Sequence, residues 1–220
     1  MVDGEDHELL ERWRSGDTKA GNLLARRYFG MLARFFHNKV SSRDDAIELV
    51  SETLLVCAQK RDKIVAKSVR SYIFAIACNQ LRAYYRKQRK RASERDDFAE
   101  LCVADVVPSQ VTLVARKREQ QVLVQALRRI PLDLQIALEL NLFEGMTSAR
   151  IAELLGIPAG TVRSRLRLGK ARLTSAIEAA SPNSSLYKST VSNLDDWASS
   201  LRDQLSGPDE PAGSDSDPSA

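Results

Sequence analysis

Along this chain apolar residues recur at helical spacing, in stretches broken by turn-forming residues, and no alternation long enough for a strand is found. Residues 8–38 read as two helices broken around Ser15, Gly16 and Asp17. Asp17 is placed to cap the second, whose apolar series is Leu23, Leu24, Tyr28, Leu32, Phe35 and Phe36. A third helix starts near Ser42 and runs to about Arg61, with Ile47, Val50, Leu54, Cys57 and Ala58 within a sector of roughly 100°. A fourth covers about Ser68 to Arg91, with Ile73, Ile76, Ala77 and Tyr84 as its expected core face. From Ala92 to about Leu113 the periodicity dissolves into charge and a Val107-Pro108-Ser109 break. A stretch of about 20 residues is long for a connection inside one domain and predicts two.

Helical periodicity returns at 114–129, stops at Pro131, and resumes over 132–143, 148–155 and 159–179. The expected fold is therefore all-α: two small helical domains, 1–91 and 114–180, joined by a flexible linker at 92–113. Residues 181–220 form a tail with one amphipathic stretch at 191–205 and an acidic end expected to be disordered.

The sharpest local pattern runs from Met146 to Arg167 and reads as a helix-turn-helix. Ala152 is small where two helices would cross, Gly156 suits a left-handed turn, and Ile157 and Pro158 fill and end that turn. Val162 and Leu166 point the second helix inward. The face left over carries Gly160, Arg163, Ser164 and Arg167. Arginines and hydroxyls so placed can reach base edges and phosphates in a major groove. A plain helical hairpin with a solvated basic face is the bland alternative.

On the fourth helix Tyr72, Ala75, Asn79, Arg82 and Arg86 share one stripe, and Arg82–Arg91 holds six basic residues in ten, Lys87 among them. An aromatic, an amide and arginines in a row can stack on unpaired bases and follow a phosphate backbone. The third helix carries the opposite sign: Glu48, Glu52, Leu55 and Gln59 line one stripe, with Asp44 and Asp45 in the first turn. Acids in a first turn also compensate the helix dipole, but the stripe equally suits a basic helical partner.

Charge distribution sharpens this picture. The formal net charge is +4, yet the tail from Asn183 carries two basic and seven acidic residues, leaving +9 on residues 1–182. A basic body attracts polyanions. Two histidines and the scattered Cys57, Cys78 and Cys102 give no metal-ligand spacing. No catalytic constellation, phosphate-cradling loop or cofactor motif is found, and an enzyme is not expected. No window approaches a membrane span, and the reading is a reduced, cytoplasmic protein.

Together these segments resemble a known family. Glu48-Leu-Val-Ser-Glu-Thr-Leu54 is similar to the polymerase-binding segment of extracytoplasmic-function sigma factors, with Leu54 where a Phe is usual. Val69-Arg-Ser-Tyr-Ile-Phe-Ala-Ile-Ala-Cys-Asn79 resembles their promoter-melting segment, with Tyr72 in place of Trp and Cys78 in place of Arg. Pro131 to Leu173 resembles their second domain, with an atypical Gly169-Lys170 pair. The likeness spans about residues 8–178 in the family's order. It implies an alternative sigma factor that binds core RNA polymerase through Asp44, Asp45, Glu48, Glu52 and Leu55. It implies −10 contacts by Tyr72, Asn79, Arg82, Arg86 and Lys87. It also implies −35 contacts by Thr161, Arg163, Ser164, Arg165, Arg167 and Lys170, with promoter DNA and an anti-sigma factor as further partners. An operator-binding regulator acting without polymerase, or an adaptor such as an anti-sigma decoy, would lack the need for both domains' nucleic-acid faces.

Overall fold

The computed structural model describes residues 2–40, 42–64, 68–92 and 124–180. The helix start expected at 114, most of the 92–113 linker, Cys102 and the tail beyond Ala180 lie outside the described residues. Seven long helices are placed: α1 (Val2–Arg14), α2 (Thr18–His37), α3 (Arg43–Gln59), α4 (Val69–Ala92), α5 (Leu132–Leu142), α6 (Ser148–Leu155) and α7 (Ala159–Ala180). Residues 124–128 add a further helical segment, and Arg61–Lys63 forms a 3-10 turn. No sheet forms among the described residues, as the all-α expectation required.

The caps explain where the chain turns. Asp17 accepts hydrogen bonds from the backbone amides of Lys19 and Ala20 at the start of α2, and Ser42 accepts one from Asp45 at the start of α3. In the first lobe α1 packs on α2, α2 on α3 and α3 on α4. Its core holds Leu10, Leu24, Tyr28, Leu32, Phe36, Val50, Phe74, Leu81 and Tyr85. Tyr28 donates from its hydroxyl to Asp6, which also pairs with Arg27. That arrangement keeps a fully buried carboxylate satisfied.

Two expected faces are rotated. On α3 the buried set is Ala46, Leu49, Val50, Thr53 and Cys57, whereas Ile47 is exposed and Leu54 only partly buried. Thr53 enters the core because its hydroxyl donates to the Leu49 carbonyl 2.7 Å away. On α4 Tyr85 is the buried tyrosine, its hydroxyl donating to the Lys39 carbonyl, while Tyr84 is half-buried. Leu23, expected in the α2 core, is also exposed.

The second lobe is built on α5, which packs against α7 and against α6. Every residue of α5 except Asn141 is buried. Leu134, Leu138 and Leu142 meet Leu127, Ile130, Leu173 and Ile177 in the lobe's own core. Leu132, Ile136 and Leu140 face the other way, into the core of the first lobe, and α6 packs against α4. The two lobes are therefore in contact.

Candidate nucleic-acid and polymerase interfaces

The turn between α6 and α7 has the geometry expected of a helix-turn-helix. Thr147 caps α6 by accepting from the Arg150 amide, and Gly156 ends it at φ +67°, ψ 34°. The Gly156 and Ile157 amides return to the Glu153 and Ala152 carbonyls, closing the turn. Ala152 and Val162 are buried, and Ile157 and Leu166 pack partly against the core.

With that face inward, Gly160, Thr161, Arg163, Ser164 and Arg167 stand exposed on one side of α7. A Cβ added at Gly160 would meet nothing closer than the Arg163 guanidinium at 4.0 Å, so no intramolecular contact requires a glycine there. The close crossing lies instead at Gly169, where a Cβ would stand 3.0 Å from Leu138 Cγ. Arg165 differs from its neighbours: its guanidinium turns back to donate to Asp133 on α5, and both side chains are mostly buried. Lys170 is half-buried.

On α4, Asn79, Arg86 and Lys87 are exposed, and Tyr72 and Arg82 are half-buried. Tyr72 rests against the first-lobe core, and burial raises its phenol pKa. Arg82 donates to the Asn79 amide oxygen at 3.5 Å, keeping the two on one stripe. On α3, Asp44, Glu48, Glu52, Leu55 and Gln59 are all exposed, the Leu55 side chain at 58%. Asp45 is half-buried and accepts from the Tyr84 hydroxyl at 3.1 Å, tying the start of α3 to α4. The expected sites are thus presented on three separate faces, with Arg165 and Asp45 held by intramolecular partners.

Buried polar residues that escaped the sequence reading include Lys39, Asp133 and Glu139. Lys39 lies at the end of the first lobe's α2 region and Glu139 in the middle of α5. Only the apolar run of α5 around Asp133 and Glu139 hinted that those two would need partners. No group of three or more metal-ligating side chains occurs among the described residues, and none of their helices is long and apolar enough to cross a membrane.

Comparison with known proteins agrees with this geometry. The family described as sigma-70, region 4, matches residues 120–173, which include the whole helix-turn-helix. A solved structure of CnrH in complex with the cytosolic domain of CnrY superposes with a TM-score of 0.59 at 21% identity, covering 80% of this chain and 99% of that one. The sigma factor RpoE of Bartonella quintana, solved with the anti-sigma factor NepR, gives 0.57 at 23% identity, over 74% and 97%. The overall fold is thus that of CnrH and RpoE, and the helix-turn-helix lobe is similar to region 4 of the sigma-70 factors. Curated sequences narrow it: the sigma-E factor of Haemophilus influenzae is 29% identical over 170 residues, 73% of this chain and 89% of that one. That of Escherichia coli K12 is 28% identical over 169 residues, 73% and 88%. The chain is thus similar along most of its length to extracytoplasmic-function RNA polymerase sigma factors, alternative sigma factors of transcription initiation and a family of regulators rather than enzymes.

Proposed function

We propose that the chain works by dividing its three faces among two partners, core RNA polymerase and promoter DNA. The acidic α3 face, with Asp44, Glu48, Glu52 and Leu55, docks on the polymerase, and Asp45 orients that face through Tyr84. Tyr72, Asn79, Arg82, Arg86 and Lys87 take the unpaired strand of the −10 element, the aromatic by stacking and the cations by following phosphates. Thr161, Arg163, Ser164 and Arg167 read the −35 element in the major groove, with Lys170 near the backbone and Arg165 positioning the helix. The division of labour follows the division of the chain: 1–91 for polymerase and −10, 92–113 as linker, 114–180 for −35. The protein carries no catalytic group of its own and acts in the cytoplasm, where polymerase and promoter are found. RpoE was captured with the anti-sigma factor NepR and CnrH with the cytosolic domain of CnrY, and we extend an anti-sigma partner to this chain.

The observation that carries this reading is the exposure of Arg163, Ser164 and Arg167 on α7 directly beyond the left-handed turn at Gly156. The opposite sign on the exposed Glu48–Glu52 face supports a separate, basic partner. The test is run-off transcription with core polymerase after Glu48→Lys with Glu52→Lys. Binding to core should weaken by at least about tenfold while helicity is unchanged. Undiminished affinity for core would reject the α3 assignment.

A further inference from the structure

Two lobes that the sequence separates by a linker share one hydrophobic core, and at its centre is an ion pair between residues 100 positions apart. Lys39 Nζ lies 2.5 Å from Glu139 Oε2, donates also to the Phe35 carbonyl at 2.7 Å, and sits 3.9 Å above the centre of the Phe35 ring. Glu139 Oε1 accepts from the Gln135 amide at 2.9 Å. Lys39 is wholly buried and Glu139 nearly so. Around them, Arg150 of α6 donates to Ser71 of α4 at 2.6 Å, and Arg70 reaches the Glu144 carbonyl at 3.4 Å.

We propose that the Lys39–Glu139 pair is the latch of a closed form of the chain, which cannot occupy both promoter elements at once and must open to initiate transcription. This rests on the promoter reading above. Elements centred at −10 and −35 are separated by about 25 base pairs, or about 85 Å of duplex at 3.4 Å per pair. Even a smooth 90° bend leaves about 76 Å between them. In the closed form Arg150 touches Ser71, the neighbour of Tyr72. Arg163 lies 13 residues beyond Arg150, a stretch that spans at most about 47 Å even if fully extended. Two side chains and one peptide step add only on the order of 15 Å. Because those 13 residues are mostly helical, the true separation is far shorter.

The chemistry of the latch suits a contact that must come apart. An apolar pair in the same place loses on opening whatever it gained on closing. A buried ion pair regains full hydration of both charges when the lobes separate, which lowers the cost of opening. It also fixes the register of closure, because each charge is tolerable inside only opposite the other. Opening uncovers Leu132, Ile136 and Leu140 on α5, an apolar face then free for a new protein partner such as polymerase.

The test compares Glu139→Leu with the double variant Lys39→Met, Glu139→Leu. Dyes on Arg26→Cys and Arg172→Cys, both exposed, report lobe separation by energy transfer in a chain with Cys57→Ala, Cys78→Ala and Cys102→Ser. We expect high transfer in the parent and a clear fall on adding core polymerase. Glu139→Leu strands Lys39 inside and should lower transfer in the free chain. The double variant removes both charges and should restore transfer to the parent level or above. Glu139→Gln, which keeps the shape, should fall between, and unchanged far-ultraviolet helicity guards against plain unfolding. Promoter-dependent transcription at limiting polymerase should rise at least about threefold in Glu139→Leu and fall below the parent in the double variant. Low transfer in the free parent, or equal transfer in the single and double variants, overturns the latch. Transcription that ignores the order of transfer overturns the gate. If transfer follows the expected order but no variant transcribes from a promoter, the closed form stands and the promoter reading, with the gate built on it, fails.

Discussion

Arg163 and Arg165 stand two positions apart on the same helix, and their alanine variants should fail in different ways. Arg165 donates to Asp133, whose side chain is 11% exposed against 21% for Arg165. Arg165→Ala leaves that carboxylate in the first turn of α5 without its counter-charge. Removing one partner of a fully buried pair costs about 3–5 kcal/mol. Here some water reaches the pair and the α5 N-terminus still favours an anion, so about 1–3 kcal/mol is expected. For a cooperative unit of some 150 residues that is a fall in Tm of roughly 3–10 °C. Arg163 is exposed and has no such tie, so Arg163→Ala should leave stability within about 0.5 kcal/mol of the parent.

DNA binding should show the reverse order. Loss of a base contact at Arg163 should cost about 1–3 kcal/mol of −35 recognition, roughly ten- to hundredfold. Arg165→Ala, measured well below its Tm, should cost less, and the loss should be recovered at lower temperature. Circular dichroism melts and holoenzyme footprinting of the −35 element supply the two readouts. A cycle with Asp133→Ala completes the argument: if the pair acts as a unit, the double variant is less destabilised than the two single losses added together. Identical melting of Arg165→Ala and the parent, with a −35 defect equal to that of Arg163→Ala, would refute the positioning role and return Arg165 to the DNA.

Two further perturbations follow from local geometry. Gly169→Ala must push Leu138, fully buried 3.0 Å from the new Cβ, at a cost of about 1–3 kcal/mol that a helix-propensity gain near 1 kcal/mol only partly offsets. Gly160→Ala meets open space and should instead leave the melt unchanged or slightly raised, so melts shifting in the same direction would contradict the crossing. Asp17 is held below the ordinary 3.8, first by the Arg12 side-chain hydrogen bond and then by the Ala20 amide. Its capping of α2 should therefore be complete above pH 3.8 and fade as pH falls through the depressed value. A carboxyl-carbon titration by NMR with a midpoint at or above 3.8 would contradict it.

Much of the fold could be read from the chain because its signals are local. Asp17 caps the helix it was expected to cap, the third helix starts beside Ser42 as expected, and Gly156 takes the left-handed conformation that its place in the turn requires. The face of a helix was harder to set than its extent. On α3 a sector drawn through Ile47 and Leu54 was about one residue off the true contact line through Ala46, Val50, Thr53 and Cys57. Thr53 is polar by type, yet its hydroxyl is satisfied within its own helix and its methyl is free to pack. Tyr84 and Tyr85 are adjacent, and wheel geometry alone could not decide which entered the core. The partner of each hydroxyl settles it: Lys39 O inside for Tyr85, and Asp45 near the surface for Tyr84.

The contact between lobes left a trace of another kind. In α5, Leu-Asp-Leu-Gln-Ile-Ala-Leu-Glu-Leu-Asn-Leu, apolar residues occur around the whole circumference, the mark of a helix covered on every side. A helix in a small lobe has neighbours on only part of its surface, and the Leu132, Ile136 and Leu140 side of α5 is covered by the first lobe. Its three buried polar side chains make that covering specific. Asp133 finds Arg165 within the lobe, but Glu139 has only Gln135 there, and an amide does not balance a buried carboxylate. The missing cation had to come from elsewhere, and nothing local in the sequence around Lys39 marks it as that cation. Identifying the pair required the tertiary structure, because a charge match across 100 residues has no periodicity to betray it. The same reasoning bears on the open form: once Lys39 leaves, α5 again carries an uncovered face of Leu132, Ile136 and Leu140 with an acidic group beside it. Opening is then favourable only where another surface, apolar with a cation, takes the place of the first lobe.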